Sequence, residues 1–192
     1  MSDEKLDRRV VRTKQQIRQA LIELLAEKSE SAISVRELAQ KANINRGTFY
    51  IHYNDIHDLV EQLAGEAVEK MIGVCQRHPP AQTPRESYPF LTDLFETLRS
   101  DKDLFTILLG STGGHNYSAR ICETIQEHFL NGLLSVFYSA DPKQRQVASD
   151  FIVAGCLHEA LVWLKSGTKE TPDEMAYLTG RIIMHGIDAL QS

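Results

Sequence analysis

Cysteine is scarce, and the few present cannot act as a set. The 192-residue chain has three, Cys75, Cys122 and Cys156, which are far apart, odd in number and without a CxxC pairing. That excludes a disulfide framework and makes a reducing compartment the default, with each cysteine read as a small buried apolar residue. Long hydrophobic runs are missing as well. No apolar run approaches the roughly 20 residues of a membrane span, and the opening MSDEKLDRRVV is charged where a secretory signal needs an apolar centre. The expectation is a soluble cytoplasmic protein with no membrane partner. Also missing are a nucleophile with its base, paired carboxylates and a complete metal-ligand cluster, so neither enzyme activity, nor a cofactor, nor a metal is expected. An all-helical enzyme is the least supported of the readings.

Positive charge is in deficit overall, with 21 Lys and Arg against 26 Asp and Glu. The average conceals a segregation. Residues 1 to 53 hold ten basic residues against seven acidic, whereas residues 54 to 192 hold eleven against nineteen. Between Lys5 and Arg18, Lys5, Arg8, Arg9, Arg12, Lys14 and Arg18 face only Asp7. A basic N-terminal segment on an acidic body suits one surface for phosphates and another for something else.

What the sequence has in abundance is apolar spacing of helical period. Ile17, Ala20, Leu21, Leu24 and Leu25 form a stripe that predicts a helix from about Val10 to Lys28. In SVRELAQKANI, Ser34 and Glu37 stand three apart before an apolar run, the capping-box spacing, and Val35, Leu38, Ala39 and Ala42 give a two-turn helix its inner face. Asn43 suits a left-handed turn, and Asn45 can cap the helix that follows. Asp55 and Asp58 open a longer helix carrying Leu59, Leu63, Ala67 and Met71. A proline-rich loop, His78 to Pro84, follows it.

The pattern stays helical beyond that loop. Phe90, Leu91, Leu94, Phe95 and Leu98 share one side, GSTGGHN breaks the chain, and Ile121, Ile125, Phe129 and Leu133 continue the stripe. Residues 141 to 166 and 172 to 191 read as a helical hairpin. GSTGGHN has neither the preceding strand nor the Lys-Ser/Thr of a phosphate loop and reads as a hinge. Cys75 and His78 have the spacing of a metal pair but no second pair. The fold class is therefore all-α, with about nine helices: an N-terminal three-helix domain, residues 1 to 53, and a helical domain over residues 54 to 192.

One stretch, NRGTFYIHY from Asn45 to Tyr53, is strand-like by propensity, being rich in β-branched and aromatic residues. Its context is a tight turn between helices, so it reads as the second helix of a helix-turn-helix unit. Phe49 and Tyr53, four apart, then join Ile44 inside, while Arg46, Gly47 and Tyr50 project elsewhere. That second face suits a DNA duplex. Arg46 can meet a guanine edge or a phosphate, Gly47 permits close backbone approach, Thr48 can bond or touch a thymine methyl, and Tyr50 and His52 can donate to phosphate oxygens. Ser34, Arg36, Thr13 and Lys14 are candidate phosphate contacts beside them, and Ile51 fits either face.

The segment from Thr13 to Leu59, above all SVRELAQKANINRGTFYIHYNDIHDL, resembles the DNA-binding domain of the TetR family of bacterial transcriptional regulators, with its G-T-x-Y-x-H-F/Y recognition helix. The resemblance carries DNA contact to Arg46, Gly47, Thr48, Tyr50 and His52, supported by Thr13, Ser34 and Arg36. It departs at Ile56, where the family has a phosphate-binding lysine that Asn54 or His57 could replace. It also implies a homodimer on a palindromic double-stranded DNA operator, with a small-molecule effector in the C-terminal domain. LRSDKDLFTILLGSTGGHNYSARI is similar to a branch that includes dihydroxyacetone-kinase regulators, in which the partner can be another protein.

The hairpin supports pairing independently. Val147, Phe151, Ala154, His158 and Leu161 lie on one stripe while Ile152, Cys156 and Trp163 lie on others, and a helix apolar on several sides is buried on several sides. Gly155 beside Ala154 permits close helix approach, and Met175, Leu178, Ile182, Gly186 and Leu190 supply the second helix's stripe. A two-fold four-helix interface would hold two recognition helices roughly 34 to 36 Å apart, or near a multiple of that. An effector pocket could be lined by Phe90, Phe95, Phe105, Tyr117, Phe129, Phe137 and Trp163, with His115, Cys122, His128 and His158 as polar handles; aromatics at this spacing also serve as ordinary core. The function that emerges is a ligand-responsive repressor. The alternative is a co-activator of the same fold working through a protein partner.

Overall fold

Helical periodicity is what the chain follows almost throughout. The computed structural model describes residues 2–82, 88–110, 117–137 and 141–185, without the side chains of 2–7 and 136–137. They form α1 (Ser2–Glu27), α2 (Val35–Lys41), α3 (Arg46–Tyr50), α4 (Ile56–Arg77), α5 (Tyr88–Ser100), α6 (Lys102–Gly110), α7 (Tyr117–Ile125), α8 (Asn131–Phe137), α9 (Pro142–Lys165) and α10 (Pro172–His185). A single π turn, Gln126–Leu130, carries α7 into α8, so these ten segments amount to nine rods. Among the described residues there is no strand.

The chain divides into two compact units, Met1–Gly65 and Glu66–Ser192. The first unit thus runs past the boundary expected after Tyr53. The start of α4 is buried through Ile56, Leu59, Val60 and Leu63, and His57 pairs with Glu30 at 3.0 Å. α1 begins well before Val10 because Glu4, Lys5, Arg8 and Arg9 are good helix formers that prolong it without an apolar stripe.

Each unit has its own core. In the first, Ile17, Leu21, Leu38, Phe49 and Leu59 are fully buried. Surface ion pairs clamp α2 against the end of α1: Lys28 Nζ lies 2.5 Å from Glu37 Oε1, and Lys41 Nζ lies 3.2 Å from Glu23 and 3.5 Å from Glu27. Their energies are small, but they fix α2's orientation. In the second unit the expected stripes of α5 and α7 are all buried. Phe90 stacks on Phe129, Phe95 meets Trp163 edge to face at 5.3 Å, and the Trp163 indole N–H donates to the Glu170 carbonyl at 3.0 Å. Two carboxylates tie the later turns of α4 to this core. Asp93 accepts from Arg77 Nε and Nη2 at 2.8 and 3.0 Å and lies 3.0 Å from His78 Nε2, and Lys70 donates to Asp101 at 2.6 Å. Gly132 answers a real approach: a Cβ there would fall 2.8 Å from the Pro80 ring.

The hairpin α9–α10 forms as expected, with Asp141 capping α9 through the Lys143 N–H at 2.9 Å. One expectation needs correcting. Among the described residues, α9 is long and apolar enough, by length and composition alone, to cross a membrane. The physical reason is that α9 is apolar on two sides. Ser149, Val153, Leu157, Ala160, Trp163 and Leu164 are buried within the unit, while Val147, Phe151 and Val162 are exposed.

Candidate nucleic-acid interface

Capping chemistry sets where the first unit's short helices start and stop. Ser34 Oγ accepts the Glu37 N–H at 3.2 Å, starting α2. The helix ends in a Schellman turn: Ile44 N–H donates to the Ala39 carbonyl at 3.0 Å and Asn43 N–H to Gln40 at 3.2 Å, with Asn43 left-handed at φ 53°. Asn45 Oδ1 then accepts the Gly47 N–H at 3.0 Å, starting α3 within two residues of the turn. The three-dimensional unit is a helix-turn-helix whose second helix is only five residues long.

Burial divides that helix into faces. Phe49 is fully buried and Tyr53 is 6% exposed; their ring centroids lie 5.6 Å apart. Arg46, Gly47 and Tyr50 are exposed, and Thr48 and His52 are half-buried on the flanks. Position 51 resolves outward: Ile51 is 76% exposed. Asn45 and Ser34 spend a side-chain oxygen on their caps, while Arg36 and Lys14 are exposed and Thr13 is half-buried. All ten sequence-predicted DNA-contact residues therefore lie in one compact unit, with Arg46, Gly47 and Tyr50 on a single face. A cationic, small and phenolic face beside a tight turn is chemically fitted to a major groove. Gly47 is not demanded by the fold, since a Cβ there would meet only Asn45 Oδ1 at an ordinary 3.6 Å.

The start of α4 differs from expectation. Ile56 is 8% exposed and part of the core. Asp55 caps the helix by accepting the Asp58 N–H at 2.8 Å. Neither candidate replacement for the lysine stands apart from this acidic cluster. Asn54 donates through its backbone N–H and Nδ2 to Asp58 at 2.8 and 3.0 Å. His57 Nδ1 donates to Glu30, and that bond raises the imidazole's pKa above its ordinary 6.5 against a smaller effect of desolvation.

In the second unit the candidate pocket residues Phe95, Phe105, Tyr117, Phe129 and Trp163 are buried, along with Phe90; Phe90 packs on Phe129 and Phe95 on Trp163. His128 and His158 are exposed and so do not line the interior. For His158 the cause is helical period, which aligns it with Phe151 and Ala154, opposite Leu157 and Ala160. His115 lies outside the described residues, as do Gly186, Leu190, the Phe137 side chain and most of GSTGGHN. The cysteines are unsuited to thiolate chemistry at neutral pH: burial raises Cys75 to about 11, Cys156 to about 12, and half-buried Cys122 in the same direction. Among the described residues no three His, Cys, Asp or Glu side chains gather into a metal-sized group.

Phe151, Ala154, Gly155, His158 and Ile182, expected at a subunit interface, are all exposed. Phe151 reaches 81%, and Val147, Val162, Tyr177 and Leu178 add to the exposed apolar surface of α9 and α10.

Fold and face together define a helix-turn-helix transcriptional regulator. Comparison with known proteins is specific about which kind. The family profile described as "Bacterial regulatory proteins, tetR family" matches residues 17–63, and that described as "Transcriptional regulator C-terminal region" matches residues 85–185. The chain belongs to the TetR family of transcriptional regulators. A curated relative, the uncharacterized HTH-type transcriptional regulator YxbF of Bacillus subtilis, is 35% identical over 71 residues, 36% of this chain; the match spans only 19% of that relative's length. Among solved structures, a TetR-family regulator from Bordetella parapertussis superposes with a TM-score of 0.74 at 14% identity, covering 93% of this chain and 97% of the other. FadR from Bacillus subtilis, solved with stearoyl-CoA, gives 0.62 at 17% identity over 90% and 98%. The dihydroxyacetone kinase operon activator DhaS gives 0.59 at 14% over 92% and 96%. At these identities the likeness concerns the fold.

Proposed function

We propose that the protein is a dimeric repressor that inserts α3 of each subunit into successive major grooves of a palindromic operator and leaves it when an effector engages the C-terminal unit. It acts in the cytoplasm and is not an enzyme. The observation that carries this reading is the division of α3: Phe49 and Tyr53 hold it down while Arg46, Gly47 and Tyr50 face solvent with no buried surface to serve. The exposed apolar stripe of α9 and α10 supports pairing, because an apolar surface of this extent on one hairpin asks for a partner. Support for a diffusible effector comes from FadR, of the same fold, solved with stearoyl-CoA. An effector works by binding one spacing of the two α3 helices more tightly than the other.

The test is binding to a palindrome near the protein's own gene. Arg12, Lys14, Arg36 and Arg46 are exposed cations on the first unit; if each neutralises a phosphate in both subunits, log Kd changes with log salt with a slope of magnitude about 7. Tyr50→Ala weakens binding across sequences, and Arg46→Ala alters the preferred sequence. Absence of duplex binding over a range of salt defeats the proposal. A second reading, co-activation through a protein partner, is favoured by the aromatic pairs Phe90–Phe129 and Phe95–Trp163, candidate pocket residues that pack on each other. The activator DhaS has the same fold.

A further inference from the structure

Ile51 is the most exposed large apolar side chain of the first unit among the described residues, at 76%. It stands just beyond the last residue of α3, with helical dihedrals of φ −68° and ψ −26°, so its side chain continues the helix's period. Exposed positions recur at Gly47, Tyr50 and Ile51, with Arg46 one turn before Tyr50, and Phe49 is buried. That is the i, i+3, i+4 spacing of one helical face. Ile51 therefore lies on the same face as Gly47 and Tyr50, whose edge Arg46 borders one turn earlier.

A single exposed apolar residue elsewhere on a surface needs no explanation. Here the location gives it a use. Isoleucine can neither donate nor accept a hydrogen bond, so among the edges of the major groove it can recognise one feature, the C5-methyl of thymine. We propose that Ile51 is a specificity-determining residue that packs on a thymine methyl in each operator half-site. Arg46 and Tyr50 beside it supply the polar and phosphate contacts that bring it into the groove, and Gly47 adds no side chain to hold the helix off. The inference rests on the DNA-binding reading above and adds to it a base and a methyl group.

The experiment selects a duplex from a random pool with the full-length wild-type protein and then replaces each thymine in turn by deoxyuracil, which removes only the methyl. Dissociation constants are measured by fluorescence anisotropy at fixed salt. One thymine per half-site is expected at which the loss weakens wild-type binding about fourfold, the worth of one buried methyl group at about 0.8 kcal/mol. Replacing it in both half-sites gives about fifteenfold. Ile51→Ala binds the thymine and uracil duplexes equally, and Ile51→Val keeps part of the discrimination. Because Ile51 is exposed, both variants retain the wild-type melting temperature, so a change in affinity reports the contact. Wild-type binding that ignores every thymine methyl overturns the inference while leaving DNA binding intact, as does an Ile51→Ala protein with undiminished methyl dependence. Failure of the wild type to select any duplex overturns this inference and the DNA-binding reading together.

Discussion

Replacing Phe151 by alanine should separate the subunits without unfolding them. Its side chain is 81% exposed on α9, so it contributes little to the stability of its own chain. Buried against a partner, a phenylalanine is worth about 1.5–3 kcal/mol relative to exposure. Taking about 2 kcal/mol per copy and two copies across a two-fold interface gives about 4 kcal/mol per dimer. At 1.4 kcal/mol per decade that is a rise of nearly a thousandfold in the dimer dissociation constant. Little ordering cost offsets this, since a phenylalanine has only two side-chain torsions to fix. Sedimentation over a dilution series reads the change directly, with helical content and melting of the diluted monomer as the folding control. Operator affinity should fall in the same concentration range, because a half-site holds one α3 poorly. If Phe151→Ala sediments as the wild type does at concentrations where the wild type dissociates, the α9–α10 face is not the interface and the reasoning from its exposed stripe fails.

Gly47→Ala should stabilise the first unit by up to about 1 kcal/mol, since alanine is the better helix former and its Cβ meets no clash, yet weaken operator binding by holding the backbone off; equal or tighter binding would show that Gly47 is not a point of close approach. The His57–Glu30 pair gives a pH dependence of known sign. The folded pKa of His57 is raised above 6.5, so the pair's stabilisation is complete below that ordinary value and lost as pH rises through the folded one. Glu30→Gln should return the His57 titration, followed by NMR, toward 6.5 and lower the melting temperature at acid pH only. Asp93→Asn should cost the second unit about 1–2 kcal/mol, seen in denaturant unfolding, since a partly buried carboxylate loses its charged bonds to half-exposed Arg77 and to His78. Gly132→Ala should destabilise the same unit by about 1–3 kcal/mol, because its Cβ would fall 2.8 Å from a rigid proline ring.

Local signals were the legible part of this fold. The Ser34–Glu37 cap, the left-handed Asn43, the Asn45 cap and the Asp55–Asp58 start of α4 are interactions over two or three residues, and each formed as the spacing predicts. Buried stripes were legible for the same reason, since helical period alone sorts Phe49 and Tyr53 from Tyr50. Long-range pairing was not. Nothing near Asp93 announces that Arg77 and His78 share it, sixteen and fifteen residues back, nor that Glu30 awaits His57. The π turn at Gln126–Leu130 was hidden because one extra residue leaves the apolar stripe nearly intact. His158 and Ile51 each fitted two faces in sequence, and only the packed helices decided between them.

The start of α4 shows what a departure from a family pattern can mean physically. A lysine there would place a cation beside DNA; Ile56 instead joins the core, and a buried isoleucine cannot be exchanged for lysine without burying a charge. The polar groups around it form a different network. Asp55 and Asp58 are occupied with capping and with Asn54, and Glu30 with His57. The same acids that raise the His57 pKa also set carboxylates about this end of α4, where they would repel a phosphate. His57 has its Nδ1 engaged by Glu30 and cannot stand in for the lysine by protonation alone. Lys28 and Lys41 are likewise paired with carboxylates. Under the proposed function, attraction for the DNA backbone falls to the exposed cations of α1, α2 and α3, and the recognition helix is held to the duplex from its own side of the turn instead of from α4.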